Sequence, residues 1–289
     1  MPHSNPNRAV LIAGPTASGK SALAMNLAEM ENGVIINADS MQVYRGLRVL
    51  TARPTLADEA RVPHLLYGHR DPAADYSTGM WQKEAMTAIH ATLAQGKLPV
   101  LCGGTGLYFM SLLKGLAEVP EIAPEVRAKW RNFTGDLYGE LARRDTVSAA
   151  KLNPADRQRL IRALEVVEST GEPLPHWQAR AEALAPLKGF AVRCLFKNLP
   201  REALYARADS RFEQMIAHGA IDELRALPDL HKDQPLMKAI GVPELKAYLK
   251  GAISLEEAKA KAQTATRQYI KRQLTWWRGQ MGDWEEVGA

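Results

Sequence analysis

The chain has 289 residues, a length that predicts two lobes or one large domain with an insertion. Its hydrophobic fraction (46%) and charged fraction (24%) are those of an average globular protein, which excludes disordered, collagen-like and low-complexity chains. The net charge of +5 permits a polyanionic partner without requiring one, because no segment forms a basic tail.

Cysteines and apolar runs narrow the class of protein further. Cys102 and Cys194 are too few for a disulfide framework or a thiolate zinc site, and a reducing compartment fits best. The apolar run at 9–13 is too short for a signal peptide or a membrane span. We therefore expect a cytoplasmic protein without membrane association.

The first hundred residues alternate short apolar runs with helical patterns. Strands are predicted at 9–13, 33–38 and 99–102, and helices at 21–30 and 80–95. This alternation is typical of a doubly wound parallel α/β sheet, in which ligands bind at the carboxyl ends of the strands. We therefore expect the loops 14–21, 39–42 and 103–106 at one edge of the sheet.

A helical segment interrupts this pattern in the middle of the chain. Its helices are predicted at 124–133, 135–144 and 156–170. The next strand candidate is 190–196. We therefore predict a catalytic core formed by 1–116 and 190–289, with a helical insertion domain at 117–189.

The last predicted helix begins after Ser254 and extends to about residue 277. Ser254 and Glu257 have the spacing of a capping box, which marks a helix start. Its apolar face is expected at Ala258, Ala262, Ala265 and Tyr269.

Residues 14–21 satisfy the phosphate-loop pattern G-x-x-x-x-G-K-[ST]. The loop consists of Gly14, Pro15, Thr16, Ala17, Ser18, Gly19, Lys20 and Ser21. Glycines let successive backbone N–H groups face phosphate oxygens, Lys20 adds positive charge, and Ser21 offers an oxygen to Mg²⁺ at a helix N-terminus. The loop alone leaves ATP, GTP and a diphosphate ester open as the bound phosphate.

Asp39 follows the second predicted strand and carries the next chemical signal. In kinases and ATPases with this loop, an acidic residue there organises Mg²⁺ or accepts a proton from the acceptor. An Asp after a strand can equally be a turn or cap residue. Its expected place at the same sheet edge as the phosphate loop favours a chemical role.

Eight sequence blocks, in chain order, resemble those of bacterial tRNA dimethylallyltransferases. The blocks are 14–21, 39–46, 51–54, 63–65, 103–108, 156–166, 170–174 and 265–278. The resemblance covers about residues 8–280, and its specificity comes from the order of the blocks. Enzymes of this family prenylate the adenine that lies directly 3′ of the anticodon.

The resemblance implies a P-loop NTPase-like fold and a set of catalytic residues. In this family the loop 14–21 holds the diphosphate of dimethylallyl diphosphate, with Mg²⁺ near Ser21 and with Arg211 as a second cation. Lys20 and Arg211 would neutralise the charge of the departing diphosphate. Asp39 would accept the proton of the exocyclic amine (N6), and Thr105 would contact the target base.

The resemblance also implies a set of tRNA-binding residues. Because a base must leave its stack before its amine can be alkylated, the target adenine is expected to enter a pocket. The set comprises Asp39, Ser40, Met41, Gln42, Thr105, Arg127, Gln158, Arg159, Leu160, Ile161 and Arg162. Arg157, Arg159 and Arg162 do not form one helical stripe, so ion pairing within the protein is the alternative for some of them. We expect a monomer whose partners are tRNA and dimethylallyl diphosphate.

Two other activities stay open at this point. Prenylation of free adenine nucleotides would not need an RNA-binding insertion. A small-molecule P-loop kinase explains residues 9–42 but leaves the insertion and the run 158–162 without a role. An RNA-binding protein without catalysis is the weakest reading, because it does not need both Lys20 and Asp39.

Overall fold

A computed structural model of the chain describes residues 7–181 and 184–288. Residues 1–6 and 289, at the two ends of the predicted catalytic core, lie outside these ranges. So do residues 182 and 183 of the predicted insertion. The chain divides into a first unit, up to Phe109 and from Gly189 onward, and a second unit, Met110–Lys188.

The first unit contains a six-stranded sheet in which every pair of neighbouring strands is parallel. The strands are β1 Arg8–Ala13, β2 Gly33–Asn37, β3 His64–Leu65, β4 Leu98–Gly103, β5 Ala191–Lys197 and β6 Glu285–Val287. Their order is β3-β2-β4-β1-β5-β6. Alternate residues of a strand face opposite sides of a sheet, so the nearly complete burial of β1, β2 and β4 means that both faces are covered. The predicted parallel α/β sheet is confirmed.

The strand register brings the predicted loops to one edge. Ala13 at the end of β1 is paired with Gly103, and Asn37 at the end of β2 is paired with Cys102. The segments that follow these three strands therefore leave the sheet side by side, as expected for a ligand site at the carboxyl ends of parallel strands.

Thirteen α-helices are found in the described part of the chain. They are α1 Lys20–Met30, α2 Leu56–Arg61, α3 Thr78–Ala94, α4 Gly106–Lys114, α5 Pro124–Asn132, α6 Leu137–Arg144, α7 Thr146–Ala149, α8 Arg157–Thr170, α9 Leu174–Ala181, α10 Arg201–Ala217, α11 Ala220–Ala226, α12 Val242–Leu249 and α13 Leu255–Gln280. A short 3-10 helix covers Pro235–Lys238. The sequence did not indicate β3, β6, α2, α4, α7, α9 or α12, and most of these elements are too short to show a periodic pattern.

Helix α13 begins as predicted, but its buried face coincides with the predicted apolar face only in the first half of the helix. The backbone N–H of Glu257 donates to Ser254 Oγ (3.2 Å), and that of Ser254 donates to Glu257 Oε2 (2.8 Å), which completes the capping box. The buried positions are Ala258, Ala262, Thr266, Ile270, Gln273, Leu274 and Trp277. Ala258 and Ala262 are buried as predicted, whereas Ala265 and Tyr269 are half-buried. The buried face continues instead through Thr266 and Gln273, two polar residues that a hydrophobic pattern does not count.

None of the helices in residues 7–181 and 184–288 combines the length and the apolar character that a membrane crossing requires.

Candidate active site

A cavity of about 320 Å³ lies at the carboxyl edge of the sheet in the first unit. The predicted site residues on its wall are Thr16, Lys20, Ser21, Asp39, Ser40, Met41, Gln42 and Arg211. Residues separated by up to 195 positions thus meet at one cavity, because the loops after β1 and β2 and the helix α10 converge there. The structure brings the predicted diphosphate-binding and catalytic groups together.

The phosphate loop forms a tight turn directly before α1. The backbone N–H of Ser18 donates to Pro15 O (3.2 Å), and Gly19 adopts a left-handed conformation (φ +87°) that few other residues tolerate. The first turn of α1 contains no acidic residue, so its N-terminal dipole is free to attract an anion. The buried Ser18 Oγ has no hydrogen-bond partner within the described residues.

Two cations lie beside this loop. Lys20 Nζ donates to Pro15 O (3.3 Å), and Arg211 Nη2 donates to Thr16 Oγ1. Burial lowers the pKa of Lys20, an effect that the nearby charge of Arg211 reinforces and that of Asp39 opposes. Burial likewise lowers the pKa of Arg211. Neither cation pairs with a carboxylate at salt-bridge distance in the part of the chain that the structure describes, so both can bind an anion.

We expect Lys20→Met to stabilise the fold while weakening diphosphate binding. Since burial makes the pKa of Lys20 lower in the folded than in the unfolded chain, its charge reduces the free energy of unfolding. This reduction begins as the pH falls below the ordinary value of 10.5 and reaches its full size below the folded pKa. The substitution should raise the Tm near neutral pH by about 2 °C.

Thermal unfolding of both proteins as a function of pH measures this effect. The difference in Tm should narrow as the pH rises through 10.5, because the lysine is discharged in both states only above that value. Lys261→Met, which changes an exposed lysine of α13, serves as the matched control. An equal or lower Tm for Lys20→Met near neutral pH would show that Lys20 carries no burial penalty.

Asp39 is held in a fixed orientation by its own turn. Its backbone N–H donates to Asn37 Oδ1 (2.8 Å), and its Oδ1 accepts from the N–H of Met41 (2.9 Å). Asn37 is fully buried and donates through Nδ2 to Asp39 O (3.0 Å) and Leu66 O (3.1 Å). Because Met41 N–H engages Oδ1, Oδ2 is the Asp39 oxygen that we expect to face a substrate.

Thr105 lies next to the Asp39 turn but faces a groove other than the 320 Å³ cavity. Its Oγ1 accepts from the N–H of Ser40 (3.0 Å) and donates to Ser40 Oγ (3.3 Å), and its own N–H donates to Ala38 O (3.1 Å). Its side chain lines a smaller groove with Tyr269 and Trp276. Its predicted base contact stays a prediction, and its observed role is to anchor Ser40.

Gln42 also has a structural task in addition to its place on the cavity wall. Its Nε2 donates to Thr51 O (2.8 Å) and Ala52 O (2.9 Å), so both amide hydrogens are used. The side chain therefore fixes the segment 50–52, which forms part of the cavity wall. A tRNA contact through Gln42 would have to use its Oε1 or its main chain.

The remaining predicted tRNA-binding residues belong to the second unit. Leu160 is 1% exposed within a hydrophobic cluster around Trp130 and Leu141. A tRNA contact of Leu160 would therefore have to use its main chain. Gln158 and Arg127 are exposed, and Ile161 is half-buried. Their predicted contacts stay predictions.

The arginines of α8 have partners within the second unit. Arg159 Nε lies 3.3 Å from Asp156 Oδ2, and Arg162 Nη1 lies 3.6 Å from Glu165 Oε2. Arg157 Nη2 donates to two main-chain carbonyls, those of residues 131 and 133. The exposed Arg159–Asp156 pair contributes about 0–1 kcal/mol, so Arg159 could exchange Asp156 for a phosphate. Glu165, the partner of Arg162, is buried and would keep Arg131 as a partner if Arg162 turned to a phosphate.

Two features of the cavity are not evident from the sequence: its apolar wall and one buried polar residue. The apolar wall includes Leu50, Ala52, Ala208, Phe212, Met215 and Ile240. Ala208, Phe212 and Met215 recur at helical spacing around Arg211, and this pattern could have indicated an apolar stripe beside the cation. Gln273, on α13, has no comparable signal in the sequence.

Comparisons with known proteins agree with this geometry. The chain matches the family profile described as IPP transferase over residues 42–280 and that described as isopentenyl transferase over 7–65. A tRNA dimethylallyltransferase of Azorhizobium caulinodans is 52% identical, covering 96% of this chain and 90% of that relative. A tRNA dimethylallyltransferase of Chelativorans is 47% identical, covering 96% of this chain and 98% of that relative.

Solved structures also resemble this chain. The tRNA isopentenylpyrophosphate transferase of Bacillus halodurans is 32% identical with a TM-score of 0.68, covering 98% of this chain and 90% of its own. A eukaryotic dimethylallyltransferase acting on tRNA is 27% identical with a TM-score of 0.85, covering 98% of this chain and 74% of its own.

Proposed function

The chain belongs to the IPP transferase family, as its sequence motifs predicted, and we propose that it is a tRNA dimethylallyltransferase. It would transfer the dimethylallyl group of dimethylallyl diphosphate to N6 of the adenine directly 3′ of the anticodon, with release of diphosphate. The observation that carries this proposal is the cavity in which the Asp39 carboxylate, two cations without a salt-bridge partner among the described residues, and an apolar wall meet.

The cavity offers a suitable environment to each part of the donor. The N-terminus of α1, Lys20 and Arg211 form an anion site for the diphosphate. The apolar residues around Phe212 and Met215 fit the five-carbon chain, which would gain from leaving water. A cationic end beside an apolar wall matches an allylic diphosphate better than it matches a nucleoside triphosphate.

Both the C–N bond that forms and the C–O bond that breaks require catalytic assistance. The lone pair of N6 is delocalised into the adenine ring, so the amine is a weak nucleophile until a base accepts its proton. Asp39 Oδ2 would accept that proton as the C–N bond forms. As the C–O bond breaks, the electron pair goes to the diphosphate, and Lys20 and Arg211 would stabilise its added charge.

We also propose Mg²⁺ at the diphosphate, near Ser21. Within the described residues no group of three or more His, Cys, Asp or Glu side chains could hold a metal ion by itself. The Ser21 hydroxyl at the start of α1 suits an ion that takes most of its ligands from diphosphate oxygens and water, as Mg²⁺ commonly does. When bound, Mg²⁺ would supply further neutralisation of the leaving group.

The second unit is the proposed partner of the tRNA anticodon arm, through Arg127, Arg159, Arg162 and the main chain of α8. We further propose that the chain acts as a monomer. A tRNA substrate points to the cytoplasm as the place of action.

Incubation with labelled dimethylallyl diphosphate and Mg²⁺ tests the proposal. Unmodified tRNA, AMP and ATP are offered in turn, and we expect label only in tRNA. Label in AMP alone would overturn the tRNA substrate and indicate prenylation of free nucleotides. Transfer of the γ-phosphate of ATP to a small acceptor would instead indicate a kinase.

A further inference from the structure

Gln273 joins two loops of the candidate active site through the two ends of one carboxamide. The backbone N–H of Thr16 donates to Gln273 Oε1 (3.0 Å), and Gln273 Nε2 donates to Gly104 O (3.0 Å). The side chain is 6% exposed and lies on the cavity wall. Thr16 belongs to the phosphate loop after β1, whereas Gly104 belongs to the turn after β4.

Burial of this carboxamide has a cost that only its two hydrogen bonds offset. A buried amide without partners loses about 1–3 kcal/mol relative to a hydrogen-bonded one. The neighbouring buried positions of α13, Ile270, Leu274 and Trp277, are apolar. A glutamine at this position is therefore explained by the two loops that it connects and not by the packing of the helix.

The two loops that Gln273 joins carry or contact Arg211 on one side and Asp39 on the other. Thr16 also accepts a hydrogen bond from Arg211, so the residue held by Oε1 orients a diphosphate-binding cation. A Cβ placed on Gly104 would lie 2.7 Å from Gln273 Nε2 and 3.4 Å from Asp39 Oδ2. The backbone of Gly104 therefore lies against both Gln273 and the proton acceptor, and a larger residue there would displace the Gln273 carboxamide.

We propose that Gln273 is a positioning residue that sets the separation between the diphosphate loop and the turn beside Asp39. This inference rests on the proposed function, in which the leaving oxygen and the attacking amine must lie on opposite sides of the allylic carbon. A displacement of about 1 Å between such groups costs about 10²-fold in rate. Gln273 acts through Thr16 and Gly104 and has no chemical step of its own.

Loss of the bridge should lower turnover more than it lowers binding. The phosphate loop, Lys20 and Arg211 all remain, so the donor still binds. With the amine misaligned, water can attack the allylic carbon instead, and breaking of the C–O bond then yields dimethylallyl alcohol, diphosphate and a proton. The ratio of donor consumed to tRNA prenylated therefore reports alignment, which a purely structural residue would not change.

Gln273→Met tests the inference because methionine keeps the length and apolar stem of the side chain but forms neither hydrogen bond. We expect kcat to fall about 10²-fold, the KM values for both substrates to stay within about threefold, and the consumption ratio to rise. Gln273→Glu keeps an acceptor for Thr16 but loses the donor to Gly104, and it should show the same fall in kcat. Gln263→Met is the matched control on α13, since Gln263 Nε2 donates to Asp209 O and Glu213 Oε1 and not to the two loops.

The outcomes separate this inference from the proposed function. Absence of tRNA prenylation by the unsubstituted protein would refute the function itself. An active protein whose kcat is unchanged in both Gln273 variants would overturn the inference. A loss confined to the KM for dimethylallyl diphosphate would also overturn it, because Gln273 would then contribute to donor binding and not to alignment.

Discussion

Asp39→Asn should reduce kcat for tRNA prenylation by about 10³-fold while leaving diphosphate affinity within about threefold of its original value. Asparagine has the same shape and can still accept the hydrogen bond from Met41 N–H through Oδ1. Its Nδ2 group, in the place of Asp39 Oδ2, is a hydrogen-bond donor and cannot take the proton of the adenine amine. The attacking nitrogen would then form the new bond without a base.

Removal of the carboxylate has a second effect that makes the result specific. Asp39 is close enough to Lys20 and Arg211 for their charges to interact. A neutral residue at position 39 removes repulsion between the carboxylate and the bound diphosphate. Affinity should therefore stay constant or rise slightly, whereas a general disruption of the site would lower it.

Single-turnover prenylation and calorimetric titration with inorganic diphosphate and Mg²⁺ measure the two quantities separately. Asp229→Asn, an exposed substitution in the first unit, is the matched control and should leave both unchanged. A kcat within about twofold of the original for Asp39→Asn would refute the role of Asp39 as the base.

The features that the sequence predicted well are those encoded over short stretches. The loop 14–21 lies within eight consecutive residues, and its chemistry depends on backbone turns that glycine and lysine announce locally. The expected meeting of Asp39 with this loop needed one further rule, that parallel strands share a carboxyl edge. The observed strand register agrees with that rule, because Ala13 is paired with Gly103 and Asn37 with Cys102.

The features that it missed depend on contacts between distant segments. Gln273 joins Thr16 and Gly104 across 257 and 169 positions, and a glutamine in a helix is ordinarily an exposed residue. For the same reason a hydrophobic pattern extends the apolar face of α13 to Tyr269 and not to Gln273. Hydrophobic periodicity assigns polar residues to the surface and cannot identify one that is buried to hold a loop.

The second unit illustrates the same limit for charged residues. The arginines of α8 were predicted to contact tRNA, with internal ion pairs as the alternative, and the structure shows Arg159 and Arg162 beside Asp156 and Glu165. Spacing along a helix could not decide between these roles, since an exposed arginine can serve either. The Arg159–Asp156 pair is exposed and weak, so its exchange for a phosphate costs little, whereas the partner of Arg162, Glu165, is buried.

Arg211→Ala should weaken the binding of inorganic diphosphate by about 10–100-fold, because hydrogen bonds to a charged group contribute about 1.5–3 kcal/mol. Arg211 is oriented toward the phosphate loop by its hydrogen bond to Thr16 Oγ1. Arg211→Lys retains the charge but not the planar fork that can donate two parallel hydrogen bonds to a phosphate. We therefore expect lysine to restore only part of the affinity.

The same calorimetric titration measures this loss, and its salt dependence distinguishes a buried contact from general attraction. A half-buried cation in direct contact with its anion is screened little by salt, so the ratio of affinities between Arg211→Ala and the original protein should stay nearly constant from low to physiological ionic strength. Arg201→Ala, an exposed substitution at the start of α10, is the matched control. Equal losses in the two variants, or a ratio that disappears with salt, would mean that Arg211 acts only through the overall field of the protein. A ratio that persists for Arg211 alone would place its guanidinium on the diphosphate itself.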